Sequence, residues 1–171
     1  MKPILVSKKD HKMKNRALTA TVVLGAIVVA GGLAVAADPP ATGKKAADVE
    51  YYGGGGALPF SPAVRVGNTL YLSGQIGAVP GAKTMTLAPG GIQGEARQAM
   101  ENIKATLEQH GSSLDNVVKC TVFLADIKDW PAFNEVYKGF FKTHYPARSA
   151  LAASGLAYNA RTEVECIAVV P

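Results

Sequence analysis

Over residues 57–171 the spacing of apolar side chains alternates between two residues and three to four, and each change of period marks an element. Ala63-Val64-Arg65-Val66 and Thr69-Leu70-Tyr71-Leu72-Ser73 flank the turn pair Gly67-Asn68, which predicts a tight hairpin. A Gly/Pro-rich loop follows over 77–91. Ala96, Ala99, Met100, Ile103 and Leu107 recur at helical spacing and predict a helix over 94–110, with Gly111 as its C-terminal cap. The β-branched, alternating run over 117–125 reads as a central strand. Asp129 is the expected N-cap of a second helix with Pro131 in its first turn. Phe133, Val136, Tyr137, Phe140 and Phe141 give that helix an apolar stripe, read as core. Residues 149–154 and 161–170 complete the set as strands. The order ββαβαββ predicts an α+β fold, a mixed sheet with both helices on one face. The opposite face keeps enough apolar side chains to need a cover, so the chain is expected to oligomerise.

Upstream of this domain the pattern changes. Residues 1–16 carry six Lys/Arg and one acid, and the run over 17–37 is uncharged and ends in Ala34-Val35-Ala36-Ala37. A basic start, an apolar stretch and an A-x-A ending make an export signal over 1–37, cut before Asp38 and leaving the protein periplasmic or secreted. The alternative is an uncleaved membrane anchor formed by residues 17–37. Met13, followed by Lys14 and Arg16, is a second candidate start beside Met1. Residues 38–56, rich in Pro, Ala and Gly and ending in Gly53-Gly54-Gly55-Gly56, read as a flexible linker before the domain at 57–171.

Charge narrows the functional classes. The whole chain has a net charge of +5, and the leader accounts for all of it, since residues 38–171 hold twelve bases and twelve acids. A neutral domain lacks the electrostatic footprint of a nucleic-acid binder. The domain's histidines, His110 and His144, stand apart from Cys and carboxylates at ligand spacing, so no metal is expected. No Gly-x-Ser-x-Gly elbow, phosphate loop or dinucleotide fingerprint occurs. Cys120 and Cys166 fall in apolar strand-like runs and are expected as buried, reduced thiols, a disulfide being the alternative after export.

Two polar features remain. Arg148, in Pro146-Ala147-Arg148-Ser149, enters a strand, where a guanidinium is costly unless a carboxylate or a ligand pairs with it. Its planar fork suits a substrate carboxylate; a surface ion pair is the competing reading. Glu163 and Glu165 are two apart on a strand and share a face, which is either solvated or supplies an acid/base group to a cleft.

Read together, the segments resemble the RidA (YjgF) family of enamine/imine deaminases across roughly 59–170. The resemblance is carried by Pro59-Phe60-Ser61, Tyr71-Leu72-Ser73-Gly74-Gln75-Ile76, Glu101-Asn102-Ile103 and Val118-Lys119-Cys120-Thr121-Val122-Phe123-Leu124. Phe133-Asn134-Glu135-Val136-Tyr137 with Phe140-Phe141, Pro146-Ala147-Arg148-Ser149 and Glu163-Val164-Glu165-Cys166-Ile167-Ala168 complete it. It implies a chorismate-mutase-like α+β fold, a homotrimer with clefts between neighbouring subunits, and no metal or organic cofactor. It further implies that Arg148 binds a substrate carboxylate, that Glu163 helps position a water, and that Ser73, Gly74 and Asn134 line or support the cleft. Two cleft positions depart from the family: Phe60 stands where a Tyr is common and Ala150 where a Cys is often found, making the cleft less polar. The implied reaction is hydrolysis of 2-enamine or 2-imino acids, such as 2-aminoacrylate, to 2-oxo acids and ammonia, the work of a 2-iminobutanoate/2-iminopropanoate deaminase. Alternatives on the same fold are a non-catalytic sensor of small carboxylates and a chaperone-like protein. A ribonuclease role, attached to some relatives, fits poorly with the neutral domain.

Overall fold

The structure, a computed structural model, describes residues 48–53 and 59–171. The predicted export segment over 1–37 and most of the linker over 38–56 lie outside the described residues. Among the described residues, no helix is long and apolar enough to cross a membrane.

Strands β1 (Val49–Tyr52), β2 (Ala63–Val66), β3 (Thr69–Leu72) and β4 (Gln75–Ile76) precede helix α1 (Gly91–Gln109). Strand β5 (Val117–Leu124), helix α2 (Trp130–Tyr137), and strands β6 (Ala147–Ala152) and β7 (Thr162–Val169) follow. The sheet order is β1-β2-β3-β7-β5-β6, and β4 continues past β3 along β7. Every pairing is antiparallel except β5 with β6, which run parallel and are joined through α2. The mixed α+β architecture is the predicted one. α1 packs on β7, β4 and α2, so both helices cover one face. Leu70, Met100, Ile103, Leu107, Val122, Leu124, Phe133 and Val164 are fully buried between the layers. Each such side chain contributes about 1.5–3 kcal/mol.

Several expectations change on contact with the fold. Val49–Tyr52, assigned to the linker by composition, is an edge strand in register with β2, and Tyr52 stacks on His110 at 4.0 Å between centroids. Three β-favouring residues, Val49, Tyr51 and Tyr52, were outweighed by their Ala/Pro/Gly surroundings. Helix α1 starts at Gly91, three residues early, because glycine is among the poorest helix formers and masks a first turn held by packing. Its other end is as expected. Gly111, at φ +77, donates to Glu108 O and Ser112 donates to Leu107 O, the paired bonds of a glycine-closed helix.

Asp129 precedes α2 without capping it. Its carboxylate instead accepts from Arg161 Nη2, at 2.7 and 2.8 Å, and from Arg161 Nε, at 3.0 Å, and this charged donor outcompetes a neutral backbone N–H as a partner. That contact, with its Coulomb attraction, raises the Arg161 pKa above its already high value. The Arg161 N–H donates to buried Glu95 at 2.7 Å, so one residue ties α1, α2 and β7 together.

Cys120 and Cys166 are bonded to each other, which corrects the expectation of two reduced thiols. They are direct partners in the β5–β7 register, both on the buried face. Opposite Cβ atoms in an antiparallel pair come within roughly 4.5–5.5 Å. That proximity is invisible when each strand is read alone.

The β3–β4 segment is pinned from above. Asn102 on α1 donates to the carbonyls of Ile76 and Ala78, at 3.3 and 2.9 Å. Asn102→Ala leaves both carbonyls without that donor and is expected to cost about 1–3 kcal/mol, read by urea unfolding.

Candidate functional site

Arg148 is the second residue of β6. It is in register with Cys120 and therefore projects from the helix-covered face. Its guanidinium lies 4.6 Å from the centroid of Tyr137 and 5.8 Å from that of Trp130, both on α2. Among the described residues no carboxylate is within ion-pair distance of it and no hydrogen bond engages it. A half-buried guanidinium without a counter-charge is chemically suited to pairing with an anion. Beside it opens a cavity of about 270 Å³ walled by Asn134, Tyr137, Lys138, Tyr145 and Pro146.

The Tyr137 ring is nearly buried, and its hydroxyl has no partner among the described residues. Burial pushes its pKa up to about 12, against a smaller downward pull from Arg148. It is therefore neutral at physiological pH and offers Arg148 a ring face, not a phenolate.

Glu163 is in register with Phe123, three residues along β5 from Cys120, and so projects from the opposite, uncovered face. Glu165 shares that face. Between β3 and β4 the ladder slips, since Tyr71 opposes Ile167 but Gln75 opposes Val164, four steps against three. Gly74 sits in this irregularity. A Cβ there would collide with the Glu163 carboxylate, so the absent side chain is what lets the acid lie against the backbone. Ser73 spends its polar groups locally. Its Oγ donates to Ser61 O at 2.7 Å and its N–H to Pro62 O at 3.0 Å, fastening the segment that carries exposed Phe60. Ala150 follows Arg148 on the helix face and packs on the core.

The sequence-predicted residues thus fall into two groups. Arg148 and Asn134 come together at the cavity under α2, and Glu163 and Gly74 touch at the β3–β4 irregularity. One chain does not bring Arg148 to Glu163, because the thickness of the sheet separates them. Sequence reasoning missed Trp130, Tyr137 and Tyr145, taking Tyr137 as plain core. The available signal was a hydroxyl in an otherwise apolar stripe, three residues after Asn134. A larger groove, about 520 Å³, lies between α1 and the segment after α2. Its walls mix Arg97, Lys104 and Lys142 with Glu101, Glu108 and Asp115, a balance that favours no ligand charge.

The uncovered sheet face carries Tyr71 and Leu151 exposed, and Ile167 and Phe123 half-buried, alongside the Lys119–Ser149 hydrogen bond of 2.7 Å.

Comparison with known proteins shows what the chain is similar to. A family model described as Endoribonuclease L-PSP matches residues 55–170. A Dermatophagoides farinae protein named 2-iminobutanoate/2-iminopropanoate deaminase is 46% identical over 112 residues, 66% of this chain and 86% of its own. The YjgF gene product of E. coli superposes with a TM-score of 0.62 at 35% identity, covering 68% of this chain and 91% of that one. E. coli TdcF with bound serine gives a TM-score of 0.62 at 35% identity, over 74% and 98% of the two chains.

Proposed function

The chain belongs to the endoribonuclease L-PSP family, the RidA (YjgF) family that its motifs resemble, and from that premise we propose that it hydrolyses 2-imino acids to 2-oxo acids and ammonia. The observation that carries this reading is the half-buried Arg148 guanidinium, facing a cavity and without a counter-charge among the described residues. Relatives named as deaminases of 2-iminobutanoate and 2-iminopropanoate support the substrate class.

In this reading Arg148 grips the substrate carboxylate through charge-assisted hydrogen bonds, each worth roughly 1.5–3 kcal/mol. Asn134 lines the same cavity and helps hold the substrate. Water adds to the C=N carbon, and the resulting carbinolamine loses ammonia to leave the 2-oxo acid. The imine is already electrophilic, so the protein's contribution is placement of the substrate and of one water. Glu163 orients that water and relays its proton.

Because Arg148 and Glu163 project from opposite faces of one sheet, the working cleft forms between neighbouring copies. Apolar Tyr71, Leu151 and Ile167 on the uncovered face give such copies a surface to bury, and the assembly proposed is a homotrimer. Phe60 and Ala150 complete the cleft wall without adding polar groups.

The test is ammonia release from 2-iminopropanoate generated in situ by an amino-acid oxidase. Wild type is expected to exceed Arg148→Ala by at least 10²-fold in kcat/KM. Equal rates in the two proteins would end the deaminase reading. A second reading, binding without turnover, draws on the serine held by TdcF. It predicts that 2-oxobutanoate raises the melting temperature of wild type but not of Arg148→Ala, with no ammonia released.

We also propose that the protein is exported. The basic-then-apolar leader supports this, as does the Cys120–Cys166 bond, since disulfides persist in oxidising compartments. Mass spectrometry of the mature protein should find an N-terminus at Asp38; a start at Met1 or Met13 would show the leader to be retained.

A further inference from the structure

We propose that Trp130 and Tyr137 form an aromatic cradle that positions the Arg148 guanidinium for its ligand's carboxylate, making both of them positioning residues of the site. The proposal rests on the carboxylate-binding reading of Arg148 given above.

An arginine side chain carries about 2 kcal/mol of rotamer entropy, so a binding arginine has to be held before its ligand arrives. The usual device is an ion pair with Asp or Glu. That device occupies the N–H donors a carboxylate needs. Arg161 illustrates it here, with three contacts to Asp129 at 2.7, 2.8 and 3.0 Å. Arg148 is held in another way. Two aromatic rings of α2 lie near its guanidinium carbon, at 4.6 and 5.8 Å, while no carboxylate approaches it among the described residues. Contact with a ring face uses the flat side of the guanidinium and leaves the in-plane N–H groups free.

The cradle is itself rigid. Tyr137 packs against Phe133 at 5.6 Å and Phe141 at 4.9 Å, and Phe141 meets Tyr145 at 6.4 Å. Trp130 sits at the start of α2, partly buried against the core. These positions follow from helical spacing, because Trp130, Phe133 and Tyr137 fall on one face of α2. Among the described residues the Tyr137 hydroxyl finds no partner, so what the site uses is the ring.

The experiment combines nitrogen-edited NMR of arginine side chains with steady-state kinetics. The Arg148 Nε–H resonance, assigned by its loss in Arg148→Lys, should be ring-current shifted in wild type. Tyr137→Leu and Trp130→Leu should each move it toward the position of a solvent-exposed arginine. Tyr137→Phe, restoring a ring at the position, should recover the shift. In turnover of 2-iminopropanoate, the leucine variants should raise KM about tenfold, as expected for loss of a desolvated cation–ring contact. Their kcat should change less than about twofold, because only uniform binding is lost.

Retention of both the wild-type resonance and the wild-type KM in the two leucine variants overturns the proposal. Should Tyr137→Leu fail to fold, Trp130→Leu, at the less buried ring, decides alone. A ring-dependent resonance in a wild-type protein that shows no turnover supports the cradle and overturns only the deaminase reading.

Discussion

Gly74→Ala is expected to lower the proposed imine turnover by roughly 10²-fold, the loss that follows from moving a catalytic group by about 1 Å, while the melting temperature changes by only a few degrees. The asymmetry comes from what the new methyl meets. Built on Gly74, it falls on the Glu163 carboxylate, the far end of a flexible side chain that can swing aside. The backbone at Gly74 is outside the left-handed region, so alanine brings no conformational strain. The fold therefore survives and the acid is displaced. Gly77 is the control. A Cβ there would come within 2.5 Å of the Glu95 Cα on α1, where backbone cannot rotate away, and Gly77→Ala is expected to lower stability directly. Turnover by purified Gly74→Ala at the wild-type rate, with an unchanged melting curve, would remove Glu163 from the mechanism.

Breaking the Cys120–Cys166 bond, by the double replacement Cys120→Ala with Cys166→Ala or by a reductant, should have the largest effect on stability. The bond closes a loop across a sequence separation of 46 residues. Loop-closure entropy alone gives a stabilisation of about 4 kcal/mol, and removal of native bridges from small secreted domains costs about 2–5 kcal/mol. For a domain of this size the melting temperature should fall on the order of 10 °C. The consequence extends to the site, since Cys120 is the β5 partner of Arg148 as well as of Cys166. A melting curve indifferent to reductant would show the bridge absent or without weight in solution.

Much of the fold was legible because local chemistry and burial agreed. The 63–66/69–72 hairpin, the Ala96-to-Leu107 stripe closed by Gly111, and the alternating β5 and β7 each announce a period that tertiary packing then uses. The misreadings occur where local and tertiary preferences part. Val49–Tyr52 is a strand only because β2 offers it an edge. Gly91 opens α1 against its own low helix propensity. Asp129 gives up its cap for the charge of Arg161.

The site divides along the same line. Arg148 and Glu163 could be singled out in the chain, because a guanidinium or carboxylate on a strand needs a reason that composition does not provide, whereas Gly74 and Asn134 came only from the family resemblance. Period-two alternation also determined that Glu163 and Glu165 share a face. What only the tertiary structure decided is which side chains meet. Strand register placed Arg148 and Glu163 on opposite faces of one sheet, joined Cys120 to Cys166, and laid Arg148 against Trp130 and against Tyr137, which read as ordinary core. Register depends on pairing between segments distant in the chain, and no property of either segment alone encodes it.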